Sequence, residues 1–237
     1  MLVDTHVHVF TDDRKNYPRL RDTPRPGAIP SIAEIGQTEW PLTTTENLIA
    51  MMDEAGVAKA TLVQAYFVYE YDNSYTVDSA LKYPARFASV VVLDPMDENA
   101  PDTLSRLVEK QGVTGIRFMR GRLPESSLGN PATFPLWERI QSLKLPLAAN
   151  PNVYIKTAIN NIAAAREGGG TPEQLYTRLV EVFGAKRIMG SSNYPAHPKF
   201  RGIKPRLEES KKALAHLSAD DQAWILGKTA VHFYPSL

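Results

Sequence analysis

Two histidines stand two residues apart near the start of the chain, in the run Asp4-Thr5-His6-Val7-His8. Side chains at alternate positions of a β-strand point to the same side, so both imidazoles can meet at one centre. This is the spacing of a metal-ligand pair, and imidazoles can also polarise a carbonyl or a water molecule. The alternative is that hydrogen bonds satisfy both rings at a strand end, with no role in chemistry.

Two cations lie within apolar, strand-like runs further along the chain. Arg117 ends one of them, where a positive charge is costly unless it faces an opening and pairs with an anion. A substrate carboxylate is the natural partner, and an internal ion pair with Asp4 or Asp94 is the alternative. Lys156 has the same two interpretations.

Polar and aromatic side chains follow the second predicted strand. Gln64 closes that strand, and Tyr69, Tyr71, Asp72 and Asn73 come after it in a loop that can form the wall of a pocket. We therefore expect Gln64 and Tyr71 to contact the substrate.

The charge balance and the lack of cysteine exclude several classes of protein. Lys and Arg total 27 against 26 for Asp and Glu, a net charge of +1, so no field favours nucleic acid or an anionic membrane. Without cysteine there is no disulfide, thiolate metal site or cysteine nucleophile. A small molecule is the expected partner, and a homo-oligomer is compatible with the composition.

The first residues and the hydropathy of the chain bear on its location. The start MLVDTHVHVFTDD contains histidines and acids before any useful apolar run, unlike a signal peptide. No stretch approaches the roughly 20 apolar residues of a membrane span. We expect a soluble, cytoplasmic protein.

Short β-branched runs alternate with helical patterns, which is typical of βα units around a parallel sheet. The predicted strands are 2–9, 60–64, 87–93, 113–119, 153–158 and 187–191, with a weaker one at 145–149. The sequence predicts an α/β fold, a TIM-like (β/α) barrel that forms one domain over residues 1–237. In such a barrel the active site lies at the carboxyl ends of the strands, where the histidine pair falls.

Capping signals predict three of the helices. Thr43 with Glu46 begins one that ends at Gly56, and Thr171 with Gln174 begins another that ends at Gly184. A third begins at Ser218 with Asp221 and is expected to stop at Gly227.

Two segments do not fit a simple alternation. Residues 11–41 are rich in Pro, Gly and charge, and are expected to form a loop over the barrel mouth. The strands at 145–149 and 153–158 are only three residues apart, whereas a parallel crossover needs about a dozen residues or more. Either the barrel lacks or rearranges one βα unit near residue 150, or the sequence omits a stretch there, or one of the two predicted strands is wrong.

Four ordered motifs resemble those of the amidohydrolase-related group, which includes dicarboxylate lactonases, sugar-acid lactonases and metal-dependent decarboxylases. The likeness extends from residue 2 to the closing residues 225–230. The motifs are Asp4-Thr5-His6-Val7-His8, Gly115-Ile116-Arg117-Phe118, Pro151-Asn152-Val153-Tyr154-Ile155-Lys156 and Ser191-Ser192-Asn193-Tyr194-Pro195.

The chain departs from that group at two places. Asn193 stands where the group usually has an aspartate that binds metal or takes a proton, and an amide cannot act as a base. Asn193 is expected to orient water or substrate, or else to be a turn residue before Pro195. A histidine that the group carries on a middle strand is missing as well, although His197 can approach the site from its loop. A divalent metal such as zinc would then rest weakly on His6 and His8 alone.

These features favour hydrolysis of a lactone or related ester bond in a small carboxylated compound. His6, His8 and Asn193 would do the chemistry, while Arg117, Lys156, Gln64 and Tyr71 bind the substrate. Metal-dependent decarboxylation is the alternative reaction, and a degenerate barrel that only binds ligands is the third hypothesis.

Overall fold

The structure is a computed structural model that describes residues 1–19, 43–117, 131–145, 154–167, 170–194 and 202–234. Four strands form a parallel sheet in the order β1-β2-β3-β4: Leu2–Val7, Val57–Val63, Phe87–Val92 and Gly115–Arg117. Two further strands, β5 (Ile155–Thr157) and β6 (Ile188–Gly190), pair in parallel with each other.

The two sheets meet at the first strand. Just beyond β6, Tyr194 forms a parallel bridge with Val7, and its carbonyl accepts a hydrogen bond from the amide of His8 at 2.9 Å. The order along the arc is therefore β4-β3-β2-β1-β6-β5, with consecutive strands mostly adjacent, as in a (β/α) barrel.

Helices alternate with the strands through most of the chain. They are α1 (Thr45–Ala55), α2 (Tyr66–Tyr69), α3 (Ser74–Lys82), α4 (Ala100–Gln111), α5 (Phe134–Ser142), α6 (Ile159–Glu167), α7 (Pro172–Phe183), α8 (Lys204–Leu214), α9 (Ala219–Ala223) and α10 (Thr229–Phe233). Short 3-10 turns occupy Pro131–Thr133 and Ala185–Arg187. None of the helices in the described ranges is both long enough and apolar enough to cross a membrane.

The caps of α1 and α7 follow from their sequences. Thr171 accepts from the amide of Gln174, whose side chain accepts from the amide of Thr171, so the predicted capping box is confirmed. The cap of α1 is Thr44, whose hydroxyl accepts from Asn47, so the prediction of Thr43 was wrong by one residue. Thr43 instead pairs with Phe10 in an antiparallel bridge.

The predicted stop at Gly227 was also wrong. Ser218 caps α9 as expected, but the chain continues through a π-helical segment, Trp224–Lys228, into α10. A Cβ on Gly227 would lie 2.2 Å from the carbonyl oxygen of Met1. The glycine therefore serves close packing of this helix against the first residues of the chain, and not helix termination.

Buried side chains from both halves of the fold pack along the sheet. Leu48 and Met52 of α1 pack with Val7 and Leu62, and Ile162, Tyr176 and Leu214 pack with Ile188 of β6. This packing fixes the strand ends that carry the polar residues.

The predicted α/β class and partial barrel are confirmed by this arc of parallel strands with helices between them. Leu145, the start of the weaker predicted strand, is not in a strand, and residues 146–153 lie outside the described ranges, as do residues 20–42 of the predicted mouth loop. Phe10 and Thr43, which flank that loop, pair beside the end of β1.

Candidate active site

The two histidines of the first strand come together at its carboxyl end. Their ring centroids are 4.9 Å apart, with the rings nearly perpendicular at 81°. His8 is 3% exposed, and Phe67 covers it at a centroid distance of 5.4 Å, while His6 is partly exposed. The predicted meeting of both imidazoles is thus what the structure shows.

A bulge in β1 changes the direction of the two histidine side chains. Asp4 is in register with Ala60 and Val7 with Leu62, so three residues on β1 advance against two on β2. An extra residue of this kind bends a strand and redirects its side chains.

Both imidazoles are neutral near pH 7. Burial, followed by the charge of Arg117, lowers the pKa of His8 to about 3, and burial also lowers the pKa of His6 well below its ordinary value. His8 lies 2.7 Å through Nδ1 from the carbonyl oxygen of Val63, which can only accept. The neutral ring therefore carries its hydrogen on Nδ1 and a lone pair on Nε2.

The buried carboxylate of Asp4 holds the backbone next to the two histidines. Its Oδ1 accepts from the amides of His6, at 3.1 Å, and Ser192, at 3.0 Å, and the residue is 0% exposed. Burial raises the pKa of this carboxyl, although the bonds from Ser192 and His6 act in the opposite direction. Asp4 thereby ties the first strand to the loop that follows the last one.

Arg117 and Lys156 bring positive charge to the same place. Arg117 ends β4, burial lowers its pKa, and its charge depresses the pKa values of both histidines. No carboxylate in the described ranges forms an ion pair with it, so neither Asp4 nor Asp94 is the internal partner considered above.

Lys156 reaches from β5 to the first strand. Its Nζ donates to the carbonyl oxygen of Thr5 at 2.9 Å and lies 5.7 Å from the ring centroid of Tyr234. Burial, then the charge of Arg117, lowers its pKa to about 8, against an opposing effect of Asp4. The lysine is thus cationic at neutral pH and close to losing that charge.

Asn193 follows β6 with a left-handed backbone, φ 52°. Asparagine tolerates this conformation better than most non-glycine residues. The loop of residues 191–194, here called the β6 loop, places it one residue from Tyr194, which bridges to β1.

Gln64 and Tyr71 have partners within their own loop. The side-chain nitrogen of Gln64 donates to the carbonyls of Glu70 and Asp72 at 2.9 and 2.8 Å, which leaves only its Oε1 for a ligand. The ring of Tyr71 contacts that of Tyr66, with centroids 5.2 Å apart, and burial raises the pKa of Tyr71. Both residues stabilise the loop after β2. Their contact with substrate stays a prediction.

Sequence reasoning missed Arg206, which is 1% exposed on α8 and donates to two carbonyls of the β6 loop. A signal was present, because helical spacing puts Arg206 on the same face as Leu207, Ser210 and Leu214, all buried.

The later histidine His197 lies outside the described residues. His216 is a surface residue whose ring hydrogen-bonds the hydroxyl of Thr177.

The described residues fit a divalent cation only in part. His6 and His8 offer two imidazoles, and Nε2 of His6 is buried without a partner in the described ranges. No cluster of three or more His, Cys, Asp or Glu side chains converges within those ranges, whereas zinc sites have three or four protein ligands. The nearby charges of Arg117 and Lys156 also oppose a cation, so no step below is derived through a metal.

Solved structures with this fold include both hydrolases and decarboxylases. A probable 2-pyrone-4,6-dicarboxylic acid hydrolase from Acinetobacter baumannii, with citric acid bound, is 15% identical over 99% of each chain, with a TM-score of 0.68. A candidate enzyme of the same name from Pseudomonas putida is 19% identical over 99% of this chain and 97% of its own, with a TM-score of 0.69.

A mutant 5-carboxyvanillate decarboxylase from Novosphingobium aromaticivorans, with bound manganese and 3-methoxy-4-hydroxy-5-nitrobenzoic acid, is 14% identical. The match covers 99% of this chain and 97% of that one, with a TM-score of 0.69. At these identities the likeness concerns the fold alone.

No curated protein matches the chain significantly. A family model described as Amidohydrolase matches residues 3–150, more than half of the chain, a range that includes the histidine pair and Arg117. Together with the partial barrel, this match shows that the chain belongs to the amidohydrolase family.

Proposed function

We propose that this protein hydrolyses the ring ester bond of a small carboxylated lactone. The observation that carries the proposal is the position of Arg117, a largely buried cation without a described carboxylate partner, close to two neutral imidazoles at the strand ends. A carboxylate on the substrate would supply the missing counter-charge.

Each residue of the site has a part in this reaction. Arg117 binds the substrate carboxylate, and Lys156 adds a second positive charge for another anionic group. His8 accepts a hydrogen bond from the attacking water through the lone pair of Nε2, His6 polarises the ester carbonyl or the same water, and Asn193 orients that water through hydrogen bonds. The water oxygen bonds to the acyl carbon and the ring C–O bond breaks, which leaves a hydroxyl group, a new carboxylate and one released proton.

The solved relatives support this substrate class. Two are named for hydrolysis of 2-pyrone-4,6-dicarboxylic acid, a lactone with two carboxyl groups, and one of these holds citric acid. A site with two cations and neutral imidazoles matches ligands of that charge.

Decarboxylation is the second candidate, because several solved relatives are decarboxylases of aromatic acids and two of these structures contain manganese. The same cations would then bind the carboxylate of an aromatic acid. The product is carbon dioxide, so the two reactions are distinguished by what they release.

A panel of lactones assayed with a pH indicator tests the first proposal, with 2-pyrone-4,6-dicarboxylate as its first member. We expect ring opening of carboxylated lactones and little turnover of their uncharged analogues, and we expect His8→Gln to abolish it. Carbon dioxide release from aromatic acids would instead support the second reaction. Citrate binding without any turnover would favour a barrel that only binds.

A further inference from the structure

The β6 loop is held in place by a buried arginine outside the candidate site. Nη1 of Arg206 donates to the carbonyl oxygen of Ser192 at 3.1 Å and to that of Asn193 at 2.9 Å. The guanidinium carbon lies 5.4 Å from the ring centroid of Tyr194, so one side chain contacts three consecutive residues of the loop.

The same loop is attached to β1 on its other side. The amide of Ser192 donates to Asp4 at 3.0 Å, and the carbonyl of Tyr194 accepts from the amide of His8 at 2.9 Å. Asn193 lies between these two attachments. A shift of the loop would therefore move Asn193 and loosen the backbone of His8 together.

The conformation of Asn193 needs this support. Its φ of 52° is in the left-handed region, which asparagine tolerates better than most residues but which remains unfavourable for a residue with a Cβ. Burying the guanidinium of Arg206 is also costly unless its hydrogen bonds are made. The same hydrogen bonds offset both costs. They join Arg206 to the carbonyls of Ser192 and Asn193, which belong to the two peptide groups that flank the Cα of Asn193.

We infer that Arg206 is a positioning residue of the site, which fixes the β6 loop so that Asn193 and the His8 backbone keep their places at the strand ends. It acts through the loop and does not touch the substrate. The part of this inference that concerns catalysis rests on the proposed function.

The test compares Arg206→Met and Arg206→Lys with Arg86→Met. Arg86 is a matched control because it also donates to backbone carbonyls, those of Ala58 and Val57, but at the opposite end of the sheet. Labelled proteins are followed by NMR, through the carbon shifts of Asn193 that report its φ and ψ, and through amide hydrogen exchange at His8.

We expect Arg206→Met to move the Asn193 shifts out of the left-handed range and to speed exchange at His8 by about tenfold or more. Arg206→Lys should restore part of both, and Arg86→Met should change neither. If Arg206→Met does not fold, Arg206→Lys alone must show the smaller changes in both signals. Unchanged signals in a folded Arg206 variant would overturn the inference and leave a packing role.

A kinetic measurement with 2-pyrone-4,6-dicarboxylate adds a second readout. Since Arg117 is untouched, kcat should fall about tenfold or more in Arg206→Met while KM stays within about twofold. A loss confined to KM would count against the inference. If the unmodified protein does not open this lactone, the proposed function fails for this substrate. The NMR result still decides the role of Arg206.

Discussion

Single residues at the strand ends give the site its charge. Arg117 and Lys156 are cationic, both imidazoles are neutral, and burial favours the protonated form of Asp4. The described part of the site therefore carries net positive charge in a partly desolvated place, where attraction for an anion is stronger than in water.

Arg117→Met should weaken binding of citrate by about ten- to a hundredfold, because a charge-assisted hydrogen bond contributes about 1.5 to 3 kcal/mol. Stability should change little, since methionine fills similar space without a buried charge. Calorimetric titration and thermal melting measure the two effects. Arg139→Met, which removes a surface ion pair with Asp102, is the control and should leave citrate binding unchanged. Equal citrate affinity with a large fall in melting temperature would mark Arg117 as structural.

The lowered pKa of Lys156 predicts that citrate binding weakens at high pH. Its pKa of about 8 means that the ammonium is present below that value and is lost as the pH rises through it. Citrate affinity should therefore decline above pH 8 in the unmodified protein, and Lys156→Arg should move the decline to higher pH. An identical decline in both proteins would show that another group is responsible.

Asn193 bears on metal retention. Two imidazoles and a neutral amide hold a divalent ion loosely, so zinc should remain below one equivalent after dialysis against a mild chelator. Asn193→Asp adds a negative charge and should raise the zinc content, whereas Asn193→Leu should not. Elemental analysis of the three proteins provides the measurement. One full equivalent in the unmodified protein would contradict the weak site and favour the metal-assisted reactions.

Among the elements, the π-helical segment Trp224–Lys228 determines how the end of the chain packs on its beginning. Lys186 and Lys228 lie over the ring of Trp224, at 5.1 and 5.6 Å from its centroid, and Gly227 approaches the carbonyl of Met1. This contact lies at the start of β1, away from the two histidines.

Gly227→Ala should destabilise the protein by about 1 to 3 kcal/mol, because its Cβ would lie 2.2 Å from a backbone oxygen that cannot move freely. Urea unfolding measures the change. Gly170→Ala is the control, since a Cβ there would only make an ordinary contact of 3.4 Å with Ala165. Equal stability of both variants would show that the close approach is relieved without cost.

Local patterns predicted the elements better than they predicted the loops. The spacing of His6 and His8 and the capping box at Thr171 depend on neighbours in sequence, and both appear in the structure. The bulge in β1 depends on pairing with β2, while the bracing role of Gln64 and the contact of Arg206 with the β6 loop depend on how the chain between the partners folds back. A single sequence carries no record of such contacts, except where a charge such as Arg206 falls on a buried helical face.

At the scale of the whole molecule, the buried histidines make the fold sensitive to acid. His8 titrates at a pKa of about 3 in the fold against an ordinary 6.5, and the pKa of His6 is lowered as well. Below pH 6.5 the unfolded chain takes up protons that the folded chain does not, so stability falls as the pH falls. The raised pKa of Asp4 has the opposite effect on stability at pH values above its ordinary 3.8, but it is one group against two.

The metal-free protein should therefore lose several kcal/mol of stability between pH 7 and pH 4, at about 1.4 kcal/mol for each unit of pKa shift. Urea midpoints measured with a chelator present follow this loss. His8→Gln should flatten the dependence, and His216→Gln, a change at an exposed histidine, should not. If the urea midpoint of His8→Gln falls with pH as steeply as that of the unmodified protein, other groups cause the loss of stability.

The bridge between Val7 and Tyr194 also has a consequence for synthesis on the ribosome. The histidine strand emerges before the β6 loop, and this neighbour on one side is made 187 residues later, which at about 5 to 20 residues per second is roughly 10 to 40 seconds. During that interval β1 can pair with β2 but not with the β6 loop, so its outer edge stays open to other chains. The strand that carries both imidazoles is thus made long before the neighbour that completes its pairing, and chains truncated before residue 194 should aggregate through that edge.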